Sequence, residues 1–288
     1  MHDMGIISKI KSKLSYKEVT PLYMDDLLRD AYQTTSVVGG SLKGRIALVT
    51  GATSGIGFAI AERLLGEGCR VIISGRNVQK LQTAVAELKR RSCKANDDTL
   101  STLLLNQYDA EAVRNSVDGL FSTAPVSIVI NNAGFFGEKD HRCEFRSVTE
   151  EEYFRTIDVN LKSTILISEL AAARMAQYGG GNILNISSIC GFSRNHYYTP
   201  YGISKTGVIR FTEQLSAAYK GRGVIVIAPG SVATAMNHSR MNDNIASFHP
   251  LNHIIFSEQI AALAAFMIGN VSKFQVGEVK KACATENV

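Results

Sequence analysis

From Leu42 onward the chain alternates short, almost wholly apolar runs with longer amphipathic stretches, and this alternation constrains the fold more than any other feature. Arg45–Thr50 (RIALVT) ends at a glycine turn, and Ile56–Gly66 follows with Ile56, Ile60 and Leu64 spaced four apart on one helical face. The pairing repeats in Arg70–Ser74 with Val78–Arg90, and in Ser101–Leu105 with Ala110–Phe121, before Val126–Asn131. A helix is predicted from Thr149, whose spacing to Glu152 suits a capping box, to about Tyr178. Asn182–Ser187 and Gly223–Ala228 are further strands, Tyr201–Tyr219 and Ser257–Gly269 further helices, and Gln275–Lys280 an edge strand. Strands apolar on both faces belong in a parallel sheet covered on both sides. The expected fold is therefore α/β: a doubly wound parallel sheet of six to seven strands with helices on both faces.

No linker-like stretch interrupts 42–288, so this span is expected to form one domain, preceded by an N-terminal helical extension over 1–41. In that extension Ile6, Ile7, Ile10 and Leu14 share a helical face while Lys9, Lys11, Lys13 and Lys17 ring the other. Such a helix can lie on an anionic membrane or bury its stripe on the domain or on a second subunit; the short stripe favours burial. The net charge of +5 is spread among interleaved acids and bases, which argues against a nucleic-acid surface. Five cysteines stand singly, without a zinc spacing or a disulfide framework, and no metal is expected. The sequence has neither an apolar run of transmembrane length nor a secretory leader pattern, so no integral membrane segment is expected and the cytoplasm is the expected compartment.

The first strand runs into Thr50-Gly51-Ala52-Thr53-Ser54-Gly55-Ile56-Gly57, which opens a helix. Glycines there let the backbone turn sharply and approach a pyrophosphate, whose charge the helix N-terminal N–H groups hold. Further on, Tyr201 and Lys205 stand at i and i+4 on one helix face. A surface pair would look the same, but Tyr201 follows Pro200, Ser188 ends the preceding strand and Asn160 lies in the long helix before it. A carbonyl that receives hydride needs a proton at its oxygen. A phenol beside an ammonium can give that proton, and a serine hydroxyl can polarise the same oxygen.

With Asn131-Asn132-Ala133-Gly134 after the fourth strand and Pro229-Gly230-Ser231-Val232-Ala233-Thr234 after the sixth, the span from about Leu42 to Val279 resembles the short-chain dehydrogenase/reductase family in its compact Rossmann-type branch. The resemblance implies a catalytic set of Asn160, Ser188, Tyr201 and Lys205. Tyr201 is the acid/base, Lys205 also holds the nicotinamide ribose, and Asn160 bends its helix and keeps a proton-supplying water. It implies cofactor contacts from Gly51, Thr53, Ser54, Gly55, Ile56 and Gly57, and from Asp109 at the adenine. Asn132, Ala133 and Gly134 border the adenosine, and Pro229, Gly230, Val232 and Thr234 lie at the carboxamide. It also implies a homodimer or homotetramer built on the helices near 150–178 and 201–219, with Leu166, Leu170 and Phe211 on their outer faces.

The second strand ends Ser74-Gly75-Arg76, without the carboxylate that pairs with the ribose 2′-hydroxyl of NAD. Arg76 can hold a 2′-phosphate by charge-assisted bonds, or stand simply as the first solvated residue of a helix; the missing acid favours NADP(H) over NAD(H). Ser187 is expected to face away from Ser188 by strand alternation. Between Ser188 and Tyr201, Arg194 or His196 could meet an anionic substrate group or sit at a solvated loop tip. Met236–Phe248 is expected to be the substrate loop. The expected substrate is a small carbonyl or secondary alcohol, with 3-oxoacyl thioesters, steroid-like ketones, sugars and polyols all open. A dinucleotide-sensing protein without turnover is the rival; its sign would be loss of the tyrosine or lysine, and both are present.

Overall fold

The computed structural model describes residues 42–137, 148–192, 199–219, 223–234, 236, 255–270, 277 and 279–282. The N-terminal extension, Arg194, His196 and nearly all of the expected substrate loop lie outside them. The first half runs β1 (Ile46–Val49), α1 (Gly55–Gly66), β2 (Arg70–Gly75), α2 (Val78–Arg91), β3 (Leu100–Leu104), α3 (Ala110–Thr123) and β4 (Ile128–Asn131). Then come α4 (Glu150–Ile157), a π-helical turn (Asp158–Lys162), α5 (Ser163–Ala176), β5 (Asn182–Ile186) and a 3₁₀ turn (Ile189–Gly191). The chain closes with α6 (Thr199–Ala218), β6 (Val224–Pro229), α7 (Ser257–Gly269) and β7 (Val279–Ala282). All seven strands are parallel, in the order β3-β2-β1-β4-β5-β6-β7.

Why the strands read as continuous apolar runs is visible in the core. Successive residues of β1 go to opposite sides: Ala47 and Val49 pack with Ile60, Leu64, Leu88 and Leu263, whereas Ile46 and Leu48 pack with Val113, Val117, Ile167 and Met175. β2 divides likewise, Val71 and Ile73 to the first layer and Ile72 to the second. A strand with both faces in a core has no polar alternation to show. The order reverses at β1, which pairs with β2 on one side and β4 on the other. Beyond the carboxyl ends of those two strands opens the crevice in which doubly wound sheets bind ligands.

Some features differ from the sequence reading. The single helix expected from Thr149 to about Tyr178 is three segments, because the Asp158–Lys162 turn is π-helical. The last long helix starts at Thr199 rather than Tyr201, with Pro200 inside its first turn, where the missing N–H removes no helical bond. The edge strand is Val279–Ala282; of the expected Gln275–Lys280, Val279 and Lys280 lie in it, while Gln275, Val276 and Glu278 lie outside the described residues. Leu166 and Leu170, expected on the outer face of the long helix, are half-buried against the α3/α5 layer in the single chain.

Candidate active site

The turn after β1 is shaped by close backbone approach. Gly51 has φ +63°, and a Cβ placed on it would lie 2.7 Å from the Cα of Ala133; one on Gly57 would lie 2.3 Å from Asn132 Nδ2. Asn132 explains the second contact, since its Nδ2 donates to the carbonyls of Thr50 (2.9 Å) and Gly51 (3.1 Å). Thr50 Oγ1 in turn accepts from the N–H groups of Asn132 and Ala133. The loops after β1 and β4 are thus one unit. At the α1 N-cap, Ser54 makes no side-chain cap bond, unlike Asn77 on α2, Asp109 on α3 and Thr149 on α4. The first amides of α1 therefore keep their donor capacity for an anion. A Cβ on Gly55 would meet Thr234 Cγ2 at 3.2 Å, so the loop after β6 folds back to the glycine turn. Val232, in that loop, is buried and bridges Ile255. Gly230 donates to the carbonyl of Ala282, next to Pro229 at the end of β6.

On the other flank, Arg76 is exposed at the end of β2, and no carboxylate among the described residues lies within 4.0 Å of it. Its guanidinium carbon is 5.1 Å from the centroid of the Tyr108 ring. Asp109 caps α3, its Oδ1 accepting from the N–H groups of Glu111 and Ala112. That occupation gives its presence in the sequence a structural reason apart from adenine.

The four residues that the family resemblance groups together reach one region from three different elements. Asn160 sits in the π-helical turn, fully buried. Its Oδ1 accepts from Phe135 N (2.6 Å), and its Nδ2 donates to Phe135 O (2.8 Å) and Ser204 Oγ (3.0 Å). The Asn160 main-chain carbonyl, displaced by the turn, accepts from Thr164 Oγ1 at 2.8 Å. Ser204 passes the connection on by donating to Tyr201 O (2.7 Å). Lys205 is 3% exposed; its Nζ donates to Ile186 O at 2.9 Å and lies 5.6 Å from the Tyr201 ring centroid. A Cβ on Gly134 would be 3.6 Å from both Lys205 Nζ and Asn160 Oδ1, which places this glycine between the two. Burial lowers the Lys205 ammonium to about 8, against a smaller opposing influence of the Cys190 thiol.

Ser188 begins the 3₁₀ turn, and its Oγ accepts from Cys190 N at 3.2 Å, leaving its own O–H to donate. The turn sits directly on α6: a Cβ on Gly191 would be 3.0 Å from the backbone of Lys205 and Thr206, and Thr206 Oγ1 donates to Gly191 O. Ser187 is buried, its hydroxyl donating to Lys205 O at 2.8 Å, so it has a structural anchor rather than a free hydroxyl.

Sequence reasoning passed over Phe136 and Ser204. The Phe136 ring lies 4.6 Å from that of Tyr201, tilted by 52°, and covers part of the phenol. Ser204 had a sequence signal, a hydroxyl three residues after Tyr201; Phe136 had none, because its contact joins segments 65 residues apart in number.

The model of a family described as short chain dehydrogenase matches residues 45–245. A curated relative from Aquifex aeolicus (strain VF5), the 3-oxoacyl-[acyl-carrier-protein] reductase FabG, is 30% identical over 247 residues, covering 83% of this chain and 95% of the relative. A solved structure from Beutenbergia cavernae with NADP bound at low occupancy superposes with a TM-score of 0.77 at 27% identity, covering 85% of this chain and 97% of that one. A single-substitution variant of actinorhodin polyketide ketoreductase, solved with NADPH, gives a TM-score of 0.75 at 26% identity over 84% of this chain and 96% of its own.

Proposed function

This chain belongs to the short-chain dehydrogenase family, as an NAD(P)-dependent oxidoreductase acting on CH–OH or C=O groups, and from that premise we propose that it uses NADP(H) with Tyr201 as the acid/base. The observation that carries the reading is the buried Lys205 ammonium, held on a strand-end carbonyl beside the Tyr201 ring and bordered by Gly134 of the loop joined to the glycine turn. The residues present fit a dinucleotide. The Gly51 and Gly57 positions admit no side chain, the first amides of α1 have no side-chain cap, and Arg76 is a solvated cation with no carboxylate of the described residues beside it. Gly51 to Gly57 would hold the pyrophosphate, Asn132 to Gly134 the adenosine, Val232 and Thr234 the carboxamide, and Arg76 the 2′-phosphate.

The bound cofactor supplies hydride to the carbonyl carbon. Ser188 donates its O–H to the carbonyl oxygen and polarises it. Tyr201 O–H gives its proton to that oxygen as negative charge grows there, and Lys205, charged and close by, favours the phenolate left behind. Asn160 holds Phe135 and, through Ser204, the first turn of α6, so the phenol stays in place. In the oxidative direction each proton move reverses.

Tyr201→Phe removes the proton donor and nothing else of size. Expected is a fall in kcat of about 10²- to 10⁴-fold with NADPH dissociation nearly unchanged, measured by NADPH oxidation against a ketone and aldehyde panel and by fluorescence titration. Wild-type turnover by the variant would sink the acid/base assignment. For the cofactor, NADPH should bind more tightly than NADH to the wild type, and Arg76→Ala should remove most of the difference.

A further inference from the structure

Arg76 and Tyr108 stand against each other at the carboxyl end of β2. Arg76 lies on an exposed strand end, and a solvated arginine samples many rotamers and loses side-chain entropy when it is fixed in one place. Here the guanidinium rests against the Tyr108 ring, 5.1 Å from its centroid. The ring is itself held. Arg155 of α4 lies 4.5 Å from the same centroid and 5.3 Å from that of Phe135, and the Phe135 ring meets Tyr108 edge-on at 6.2 Å.

The backbone beneath Tyr108 is tied on both sides. Asn106 Oδ1 accepts from the Tyr108 N–H, Gln107 Nε2 donates to Ser163 Oγ on α5, and Asp109 caps α3. Phe135 is clamped in turn by Asn160. A rigid aromatic plate therefore stands where four elements meet, with the exposed cation of the β2 end laid against it.

We propose that Tyr108 is a positioning residue for cofactor selectivity: it presents Arg76 to the 2′-phosphate of NADP(H), and Arg155 and Phe135 brace it. This rests on the reading of Arg76 as the phosphate ligand. The contribution belongs to the phosphorylated cofactor alone, because NADH offers Arg76 no phosphate at that site. A cation–aromatic contact at an exposed site corresponds to about two- to fivefold in an equilibrium constant.

The test is titration calorimetry on the full chain with NADPH, NADH, 2′,5′-ADP and 5′-AMP, comparing the wild type with Tyr108→Ala, Tyr108→Phe and Arg155→Gln. Expected for Tyr108→Ala is about two- to fivefold weaker NADPH and 2′,5′-ADP with NADH and 5′-AMP unchanged. Tyr108→Phe, which keeps the ring, should restore selectivity, and Arg155→Gln should show a smaller loss of the same kind. Equal weakening of all four ligands, or none, overturns the proposal while the NADP(H) reading stands. A wild type that binds NADPH and NADH equally overturns both. If Tyr108→Ala does not fold, selectivity left whole in a folded Arg155→Gln variant and in Tyr108→Leu overturns it.

Discussion

At the scale of the residue, Lys205 has a consequence in pH. Its ammonium titrates at about 8 in the folded chain against an ordinary 10.5, because burial penalises the charged form. Below about pH 8 both folded and unfolded chains carry this proton and the burial penalty is present in full. As pH rises towards 10.5 the folded chain releases the proton first, so in that window the unfolded chain binds more protons and stability rises. Relative to Lys205→Met, the ligand-free wild type should thus gain in Tm between about pH 7.5 and 10. NADPH affinity should move the other way, weakening past about pH 8 in the wild type only, since an uncharged amine is a poorer partner for ribose hydroxyls and phenolate. A melting difference that stays flat across that range would show that Lys205 is not desolvated as described.

At the scale of the element, the π-helical turn is open to a direct experiment. Asn160→Ala deletes the acceptor of Phe135 N–H and the donor to Phe135 O together, and leaving a partly buried backbone pair unsatisfied costs about 1–3 kcal/mol. The expected outcome is that loss in urea denaturation, faster amide exchange at Phe135, and reduced kcat through a loosened α6 start. Unchanged exchange at Phe135 would count against the clamp. The turn also marks how far the sequence can be read. A π turn displaces the helix by one residue only, and no glycine or proline between Thr149 and Tyr178 flags it; only the family resemblance of Asn160 pointed to a bend. The centre of the sheet was legible because β1, β4, β5 and β6 are buried on both faces. The Tyr201/Lys205 pair was legible because i and i+4 share a helix face. Tyr108 and Phe136 were not, since their partners come from other strands and loops. Nor was the buried chain in which Asn131 Nδ2 donates to Ser168 and Asn185, and Asn185 to Thr212, joining α5, β4, β5 and α6 by polar bonds inside an apolar core.

At the scale of the whole molecule, the question is what lies beyond the sheet. Among the described residues no helix is long and apolar enough to cross a membrane. We expect a homodimer or homotetramer in sedimentation at micromolar concentration. Among described residues, α4 and α6 expose Phe154 and Ile203, 56% and 47% accessible in the single chain. Deleting residues 1–40 removes none of the positions proposed for cofactor or catalysis, so NADPH binding should survive while Tm falls or the oligomeric state in sedimentation changes. A truncated chain that folds but does not bind NADPH would place those residues in the active site.

The seating of the 3₁₀ turn on α6 has a meaning for how such a protein diversifies. Gly191 touches the backbone of Lys205 and Thr206, so Ser188 is registered to Tyr201 and Lys205 by direct contact between the turn and the helix. A registry held by direct contact does not depend on how far apart the turn and the helix stand in the sequence. Sequence change elsewhere can then accumulate while that registry is inherited intact.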